Sequence, residues 1–354
     1  MWKWTRERFP KLVWLLGASA FFGAWGMLFE LHWAWQYVPP GEWFFWARGA
    51  GIAWGICTCG MTAVWALARR MTPRFDPGRR RLLLTAQTAA VAAPAAVTGF
   101  GIIVGRRDLR PVEIEVPVRG LAKDLDGIRI AQLSDIHYGP FLSRQELSNA
   151  VGMANEFRPH LTVVTGDLIT RDGDPLDECL DELARLRAES GVWGCLGNHE
   201  IYAECEEYVQ REGRRRNLHF LRGQKQELRF GDARLNLAGV DYQKMHGDYL
   251  RRGKALQEAG SFNMLLSHNP DAFSKAAPQG WDLMLAGHTH GGQVTVEYLH
   301  QHLNFARFFT PYVYGHYEEG NSHLYVTRGI GTVGVPARIG APPEVALIKL
   351  CAIS

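Results

Sequence analysis

Seven side chains in this chain are of the kinds that hold divalent metal ions: Asp135, His137, Asp167, Asn198, His268, His288 and His290. Their carboxylate, amide and imidazole donors give the oxygen and nitrogen mixture that suits borderline ions such as Mn²⁺, Fe²⁺ or Zn²⁺. Taken singly, an Asp-x-His or a Gly-Asp could be a turn or a helix cap. Together they exceed the needs of one ion and imply two, about 3.5–4 Å apart and sharing a carboxylate, for which Asp167 is the natural bridge. Two such ions lower the pKa of a bridging water from about 15.7 to roughly neutral. They also offset the charge that develops when an oxygen attacks a phosphoryl group in line. The chemistry in view is metal-assisted hydrolysis.

Such donors work only if rigid elements aim them at one point, and the hydrophobic pattern supplies those elements. Val112–Val116 alternates as a half-exposed strand, and Ile128–Leu133 runs as a strand directly into Ser134-Asp135-Ile136-His137. Ser143 with Glu146 three residues on forms a capping box that opens a helix to about Phe157. Leu161–Thr165 is a strand ending in Gly166-Asp167, a helix is expected over about Pro175–Glu189, and Val192–Leu196 stops at Gly197-Asn198-His199-Glu200. Further strands over Arg234–Val240, Phe262–Leu266 and Leu283–Ala286 follow, the last two ending at Ser267-His268-Asn269 and Gly287-His288-Thr289-His290. Candidate ligands at the carboxyl ends of five strands indicate a mixed-sheet α/β domain, where the crevice beyond the strands is open and the strands hold the loops.

In this order the motifs Asp135-x-His137, Gly166-Asp167, Gly197-Asn198-His199-Glu200, His268 and Gly287-His288-x-His290 resemble the calcineurin-like metallophosphoesterase family. Ser134–Gly139, Gly291-Gly292-Gln293, Thr327–Gly331 and Pro342-Pro343-Glu344 look like its membrane-linked bacterial branch, and the resemblance covers roughly residues 110–354. It implies a four-layer αββα sandwich. It also implies that Asp135, His137 and His290 hold one metal, that Asn198, His268 and His288 hold the other, and that Asp167 bridges both. His199 is left uncoordinated and placed to give a proton or hydrogen bond to the leaving or an equatorial oxygen.

The first 105 residues have a different texture. Three apolar segments, about 12–33, 49–68 and 82–104, each approach the roughly 20 residues that a bilayer core requires, and are expected to be membrane spans. Lys3, Arg6, Arg8 and Lys11 precede the first, and Arg69, Arg70, Arg74, Arg79, Arg80 and Arg81 lie between the second and third. The positive-inside rule puts both groups in the cytoplasm and the domain of residues 106–354 outside, against Arg106, Arg107 and Arg110, which pull the other way. Arg80-Arg81-Leu82-Leu83 before an Ala-rich run also resembles an internal twin-arginine export signal. The expected setting is a multi-pass protein of the bacterial inner membrane, with the bilayer as a partner and a lipid-linked or envelope phosphoester or pyrophosphate as substrate.

A formal net charge of +3 gives no case for nucleic acid, and six scattered cysteines show neither a disulfide framework nor a zinc ribbon. Cys195 is expected to pack in the core, and the other eight histidines, His32, His160, His219, His246, His300, His302, His316 and His323, fall in no ligand motif. Arg328 and Arg338 could meet a substrate phosphate or simply anchor loops. Arg214-Arg215-Arg216 is a solvated loop or helix end. If the domain faces the cytoplasm, the substrate becomes a nucleotide-linked lipid of the UDP-diacylglucosamine type. A non-catalytic scaffold or receptor is the reading from another class.

Overall fold

The computed structural model describes residues 13–28, 42–70, 85–86, 89, 93, 96–243, 250–295 and 304–353. The chain divides into two compact units, Met1–Arg106 with Val333–Ile339, and Arg107–Thr332 with Gly340–Ser354.

In the first unit, α1 (Val13–Leu28) packs on α2 (Glu42–Arg70), and residues 96–103 are helical. Small residues let the backbones approach: a Cβ on Gly26 would fall 2.6 Å from the carbonyl carbon of Gly51. No helix among the described residues is long and apolar enough to cross a membrane. The expected spans 12–33, 49–68 and 82–104 are corrected to that extent. The 16 described residues of α1 cover about 24 Å at roughly 1.5 Å each, against a hydrocarbon core of about 30 Å. The 29 residues of α2 run from Glu42 to Arg70. Most of the third segment, and Lys3, Arg6, Arg8, Lys11, Arg74 and Arg79–Arg81, lie outside the described residues.

The second unit is built on two six-stranded sheets. The strands are β1 (Arg110–Arg119), β2 (Arg129–Leu133), β3 (Leu161–Thr165), β4 (Val192–Cys195), β5 (Leu218–Phe220), β6 (Gln224–Phe230), β7 (Ala233–Gly239), β8 (Phe262–Leu266), β9 (Leu283–Ala286), β10 (Gly315–Glu319), β11 (Ser322–Val326) and β12 (Glu344–Ile353). One sheet has the order β1-β12-β2-β3-β4-β5, parallel except where β12 meets β2. The other has the order β10-β11-β9-β8-β7-β6, with a parallel centre and an antiparallel hairpin strand at each edge. The helices are α3 (Arg144–Glu156), α4 (Leu176–Leu183), α5 (Asn198–Tyr202), α6 (Glu206–Arg215) and α7 (Phe273–Gln279).

The period-two alternation of each strand sorts the side chains into three apolar layers. Ile130, Leu161, Val163 and Cys195 of the first sheet meet Leu235, Leu237, Met264, Leu266 and Leu285 of the second. The opposite faces take the helices: Ala131, Leu133 and Val164 pack with Leu147, Ala150 and Val151 of α3 and Leu180 and Leu183 of α4. Leu265, Met284 and Val326 pack with Phe273 and Ala276 of α7. Two sheets face to face with helices on both outer faces make an α/β/β/α arrangement. Helix α4 stops at Leu183, short of the expected Glu189. There the Asn155 side chain captures the Arg185 carbonyl (3.0 Å) and the Arg187 N–H (2.8 Å), drawing the chain out of helical geometry.

Candidate metal centre

Five strand ends deliver the site. Asp135 and His137 follow β2, Asp167 follows β3, Asn198 opens α5 after β4, His268 follows β8, and His288 and His290 follow β9. The loops are zipped to one another by backbone bonds: Asp135 N–H to the Gly166 carbonyl (3.0 Å), His137 N–H to that of Asp167 (3.0 Å), and Gly287 N–H to that of His268 (3.1 Å). The buried Gln132 amide ties the two sheets beneath them, donating to Thr165 Oγ1 (2.9 Å) and to the Ala286 carbonyl (3.0 Å).

Six of the seven residues named from the sequence come together in two groups, and Asn198 opens the helix beside them. Asp135, His137 and His290 form one group of donor atoms lying within 4.8 Å of one another, and Asp167, His268 and His288 form a second. His137 Nε2 is 3.1 Å from His290 Nε2 and 3.6 Å from Asp167 Oδ2, while His290 Nε2 is 3.4 Å from Asp135 Oδ1. In the second group His268 Nε2 is 3.0 Å from Asp167 Oδ2 and 3.2 Å from His288 Nδ1. The Asp167 carboxylate therefore borders both groups.

This donor set fits a pair of divalent cations. The Asn198 Oδ1 is buried with no hydrogen-bond partner among the described residues, an arrangement that is costly unless a cation or donor meets it. His268 Nδ1–H donates to the Thr165 carbonyl at 2.7 Å, which aims Nε2 at Asp167 as the nitrogen that would give up its proton to a cation. Five of the seven residues adopt left-handed backbone: Asp135 (φ 50°), His137 (φ 47°), Asp167 (φ 56°), His288 (φ 75°) and His290 (φ 53°). Each such residue costs on the order of 1 kcal/mol, strain that concentrates where side chains must be aimed. Gly197 is confined sterically as well, since a Cβ there would fall 2.1 Å from Asp167 Oδ1.

The electrostatics follow the same geometry. Burial alone would raise the Asp167 carboxyl, but the imidazoles of His268, His199 and His137 overcome it and hold that group well below the usual range. Burial works against a charged His268, yet the Asp167 carboxylate lifts its pKa to about 10. His288 has burial and the neighbouring His268 against it and drops to about 4.

His199 lies on α5 with its ring edge-on to His137, centroids 4.7 Å apart, and its Nδ1 is held by the Thr170 carbonyl. One of its ring nitrogens also lies within 4.8 Å of donor atoms of His137 and Asp167. It thus stands at the edge of the cluster with Nε2 available.

One residue of the site was overlooked in the sequence. Glu200 is completely buried and accepts from the N–H groups of Asp167 (2.9 Å), Leu168 (2.7 Å) and Gly197 (2.7 Å), locking the β3 and β4 loops together. Its signal was a glutamate three residues after Gly197 at a helix start. The remaining histidines described are engaged elsewhere: His160 accepts from Arg129 N–H (2.9 Å), His219 packs on Trp193, and His316 pairs with His323. His32, His246, His300 and His302 lie outside the described residues. Cys195 is fully buried between the sheets. Arg328 pairs with Glu344 at 2.7 Å, Arg338 is buried within the first unit, and Arg215 and Arg216 are paired with Glu212.

The sequence comparisons agree with this geometry. Residues 128–292 match the calcineurin-like phosphoesterase family. The chain is 31% identical over 294 residues to the metallophosphoesterase YkuE of Bacillus subtilis, covering 77% of this chain and 97% of that one. It is 29% identical over 287 residues to the phosphodiesterase YaeI of Escherichia coli, covering 77% and 98%. A Danio rerio transmembrane protein with metallophosphoesterase domain is 30% identical over 275 residues, covering 74% of this chain and 62% of that protein, so the chain spans about three-fifths of this relative's length. The chain belongs to the calcineurin-like phosphoesterase family, whose members are hydrolases with a dinuclear divalent metal centre.

Proposed function

We propose that the chain is a metal-dependent phosphodiesterase in which Asp135, His137 and His290 hold one divalent ion, Asn198, His268 and His288 the other, and Asp167 both. The convergence of six of these donors in two adjoining groups, with a buried and unpartnered Asn198 amide oxygen on the neighbouring helix start, carries the reading. When bound, the ions supply a neutral-pH hydroxide and compensate charge on the phosphoryl oxygens. His199, with Nδ1–H fixed on Thr170, presents Nε2 to the leaving oxygen as a proton or hydrogen-bond donor. The Thr165 and Thr170 carbonyls set the imidazole tautomers, and Glu200 keeps the Asp167 carboxylate in place. A diester is favoured over a monoester because YaeI is named a phosphodiesterase. The test is hydrolysis of bis(p-nitrophenyl) phosphate against p-nitrophenyl phosphate by chelator-treated protein with Mn²⁺, Fe²⁺ or Zn²⁺ restored. Equal rates for wild type and Asp167→Asn would leave the non-catalytic scaffold as the better reading.

A lipid-linked substrate is supported by the apolar surface of the first unit, where Phe21, Trp43 and Ile103 are 72, 68 and 64% exposed. Such a surface suits the headgroup boundary of a bilayer, and we place the protein at the bacterial inner membrane with the second unit outside the cytoplasm. Co-sedimentation with anionic vesicles, and a periplasmic reporter fused after residue 110, check this. A cytoplasmic reporter signal would turn attention to a nucleotide-linked lipid.

A further inference from the structure

We propose that the Arg328–Glu344 ion pair is a positioning device for the first half of the metal centre, fixing Asp135 and His290 without ligating or touching substrate. The inference rests on the ligand assignment proposed above. Neither residue belongs to the donor cluster, and Glu344 begins β12, more than 200 positions after Asp135 in sequence.

Glu344 is 1% exposed, so its charge must be matched. It accepts from Arg328 Nη1 (2.7 Å), from the Arg328 N–H (3.1 Å) and from the Tyr325 hydroxyl (2.7 Å), and its own N–H donates to the Gly329 carbonyl (3.0 Å). The Arg328 guanidinium also lies over the Tyr314 ring, 4.4 Å from its centroid. These contacts hold the turn Arg328–Gly331 from both sides.

That turn bears on the metal ligands. Ile330 N–H donates to the Ser134 carbonyl (3.0 Å) and Gly331 N–H to that of Asp135 (2.7 Å). Gly329, at φ +70°, runs so close that a Cβ on it would fall 2.5 Å from Asp135 Cβ. The turn is thus a backstop for a residue whose own backbone is left-handed. On the other flank, the Arg328 stem lies 3.0 Å from where a Gly291 Cβ would sit, immediately after His290. One ion pair therefore braces two ligands of the same half-site, and the second half-site has its own brace in Glu200. A substrate-clamping arginine would hold its fork toward the open crevice. Here Nη1 is spent on a buried carboxylate, and the side chain is 17% exposed.

The experiment counts metals and measures turnover in the whole chain. Chelator-treated wild type, Glu344→Gln, Glu344→Asp and Arg328→Lys are titrated with Mn²⁺, bound metal is counted by mass spectrometry, and kcat and KM are measured on bis(p-nitrophenyl) phosphate. Wild type is expected to bind two ions. Glu344→Gln should bind one normally and the other 10–100-fold more weakly, the usual cost of losing a group that orients ligands, with kcat reduced and KM little changed. Glu344→Asp should recover part of the lost affinity. Two ions bound to Glu344→Gln at wild-type affinity would overturn the inference. So would an Arg328→Lys protein with raised KM and unaltered metal affinity, which would make Arg328 a substrate clamp. If circular dichroism shows Glu344→Gln unfolded, Glu344→Asp and Arg328→Lys decide, and wild-type metal affinity in both overturns it. A wild type that binds fewer than two ions would refute the ligand assignment itself.

Discussion

The two halves of the candidate metal centre are built differently. The half around His268 and His288 is made of groups sitting on strand ends: His268 is fully buried, its Nδ1–H satisfied by the Thr165 carbonyl across the sandwich, and Glu200 ties the β3 and β4 loops beside it. The half around Asp135, His137 and His290 consists of three left-handed residues, backed by a turn from the tail of the chain. Both halves hang on strand ends, but the half around Asp135 and His290 is backed in addition by a late segment folding back over it. The difference teaches that a symmetric donor set can hide unequal supports, and mutations should expose it.

The largest effect expected is at the residue both halves share. Asp167→Asn should bring metal-dependent hydrolysis to background and leave fewer than two ions bound, by metal counting and by rate on bis(p-nitrophenyl) phosphate. Retention of both ions would dissolve the comparison, because neither half would then depend on the bridge. His199→Ala should leave both ions bound and lower kcat by on the order of a hundredfold, the usual size of acid catalysis. Undiminished turnover would remove that role. Glu200→Gln comes next. It replaces a carboxylate that accepts three N–H bonds with an amide whose NH₂ end must face donors. We expect a loss of about 1–3 kcal/mol in stability and roughly tenfold weaker metal binding centred on Asp167. A denaturant midpoint and metal affinity equal to wild type would show that the β3 and β4 loops hold themselves.

The same contrast explains what could be read from the sequence. Donors on strand ends were legible because hydrophobic runs such as Leu161–Thr165 and Phe262–Leu266 stop where the polar residue begins, and the strands occupy those bounds. The capping box at Ser143 and Glu146 was legible because both partners are local, and both its hydrogen bonds form. Glu344 was not, since its role depends on β12 inserting between β1 and β2, a pairing of residues over 200 apart with no local mark. Glu200 was hidden differently: it sits in a motif that suggested chemistry, while its work is to satisfy backbone N–H groups. The N-terminal segments are the part least tied to the described structure, since of the expected spans 12–33 and 82–104 only portions are described.

The smallest effect expected separates two histidines of the same half by the sign of their pH dependence in chelator-treated protein. His288 has a folded pKa of about 4 against an ordinary 6.5, so as pH falls below 6.5 the unfolded chain takes up the proton first. The stability it contributes is present above 6.5 and lost as pH falls toward 4. His268 has a folded pKa of about 10, so its ion pair with Asp167 contributes fully below 6.5 and fades as pH rises through 10. Metal-free protein should therefore have its stability maximum near neutrality, with His288→Gln flattening the acid limb and His268→Gln the alkaline limb in urea melts across that range. Because cations compete with protons for both nitrogens, metal binds less tightly as pH falls, so restoring metal should broaden the plateau mainly on the alkaline side, where both imidazoles can give up their protons. A profile unchanged by either substitution would mean that the two rings do not titrate through the Asp167 carboxylate, and the second half-site would lose the electrostatic asymmetry that distinguishes its two imidazoles.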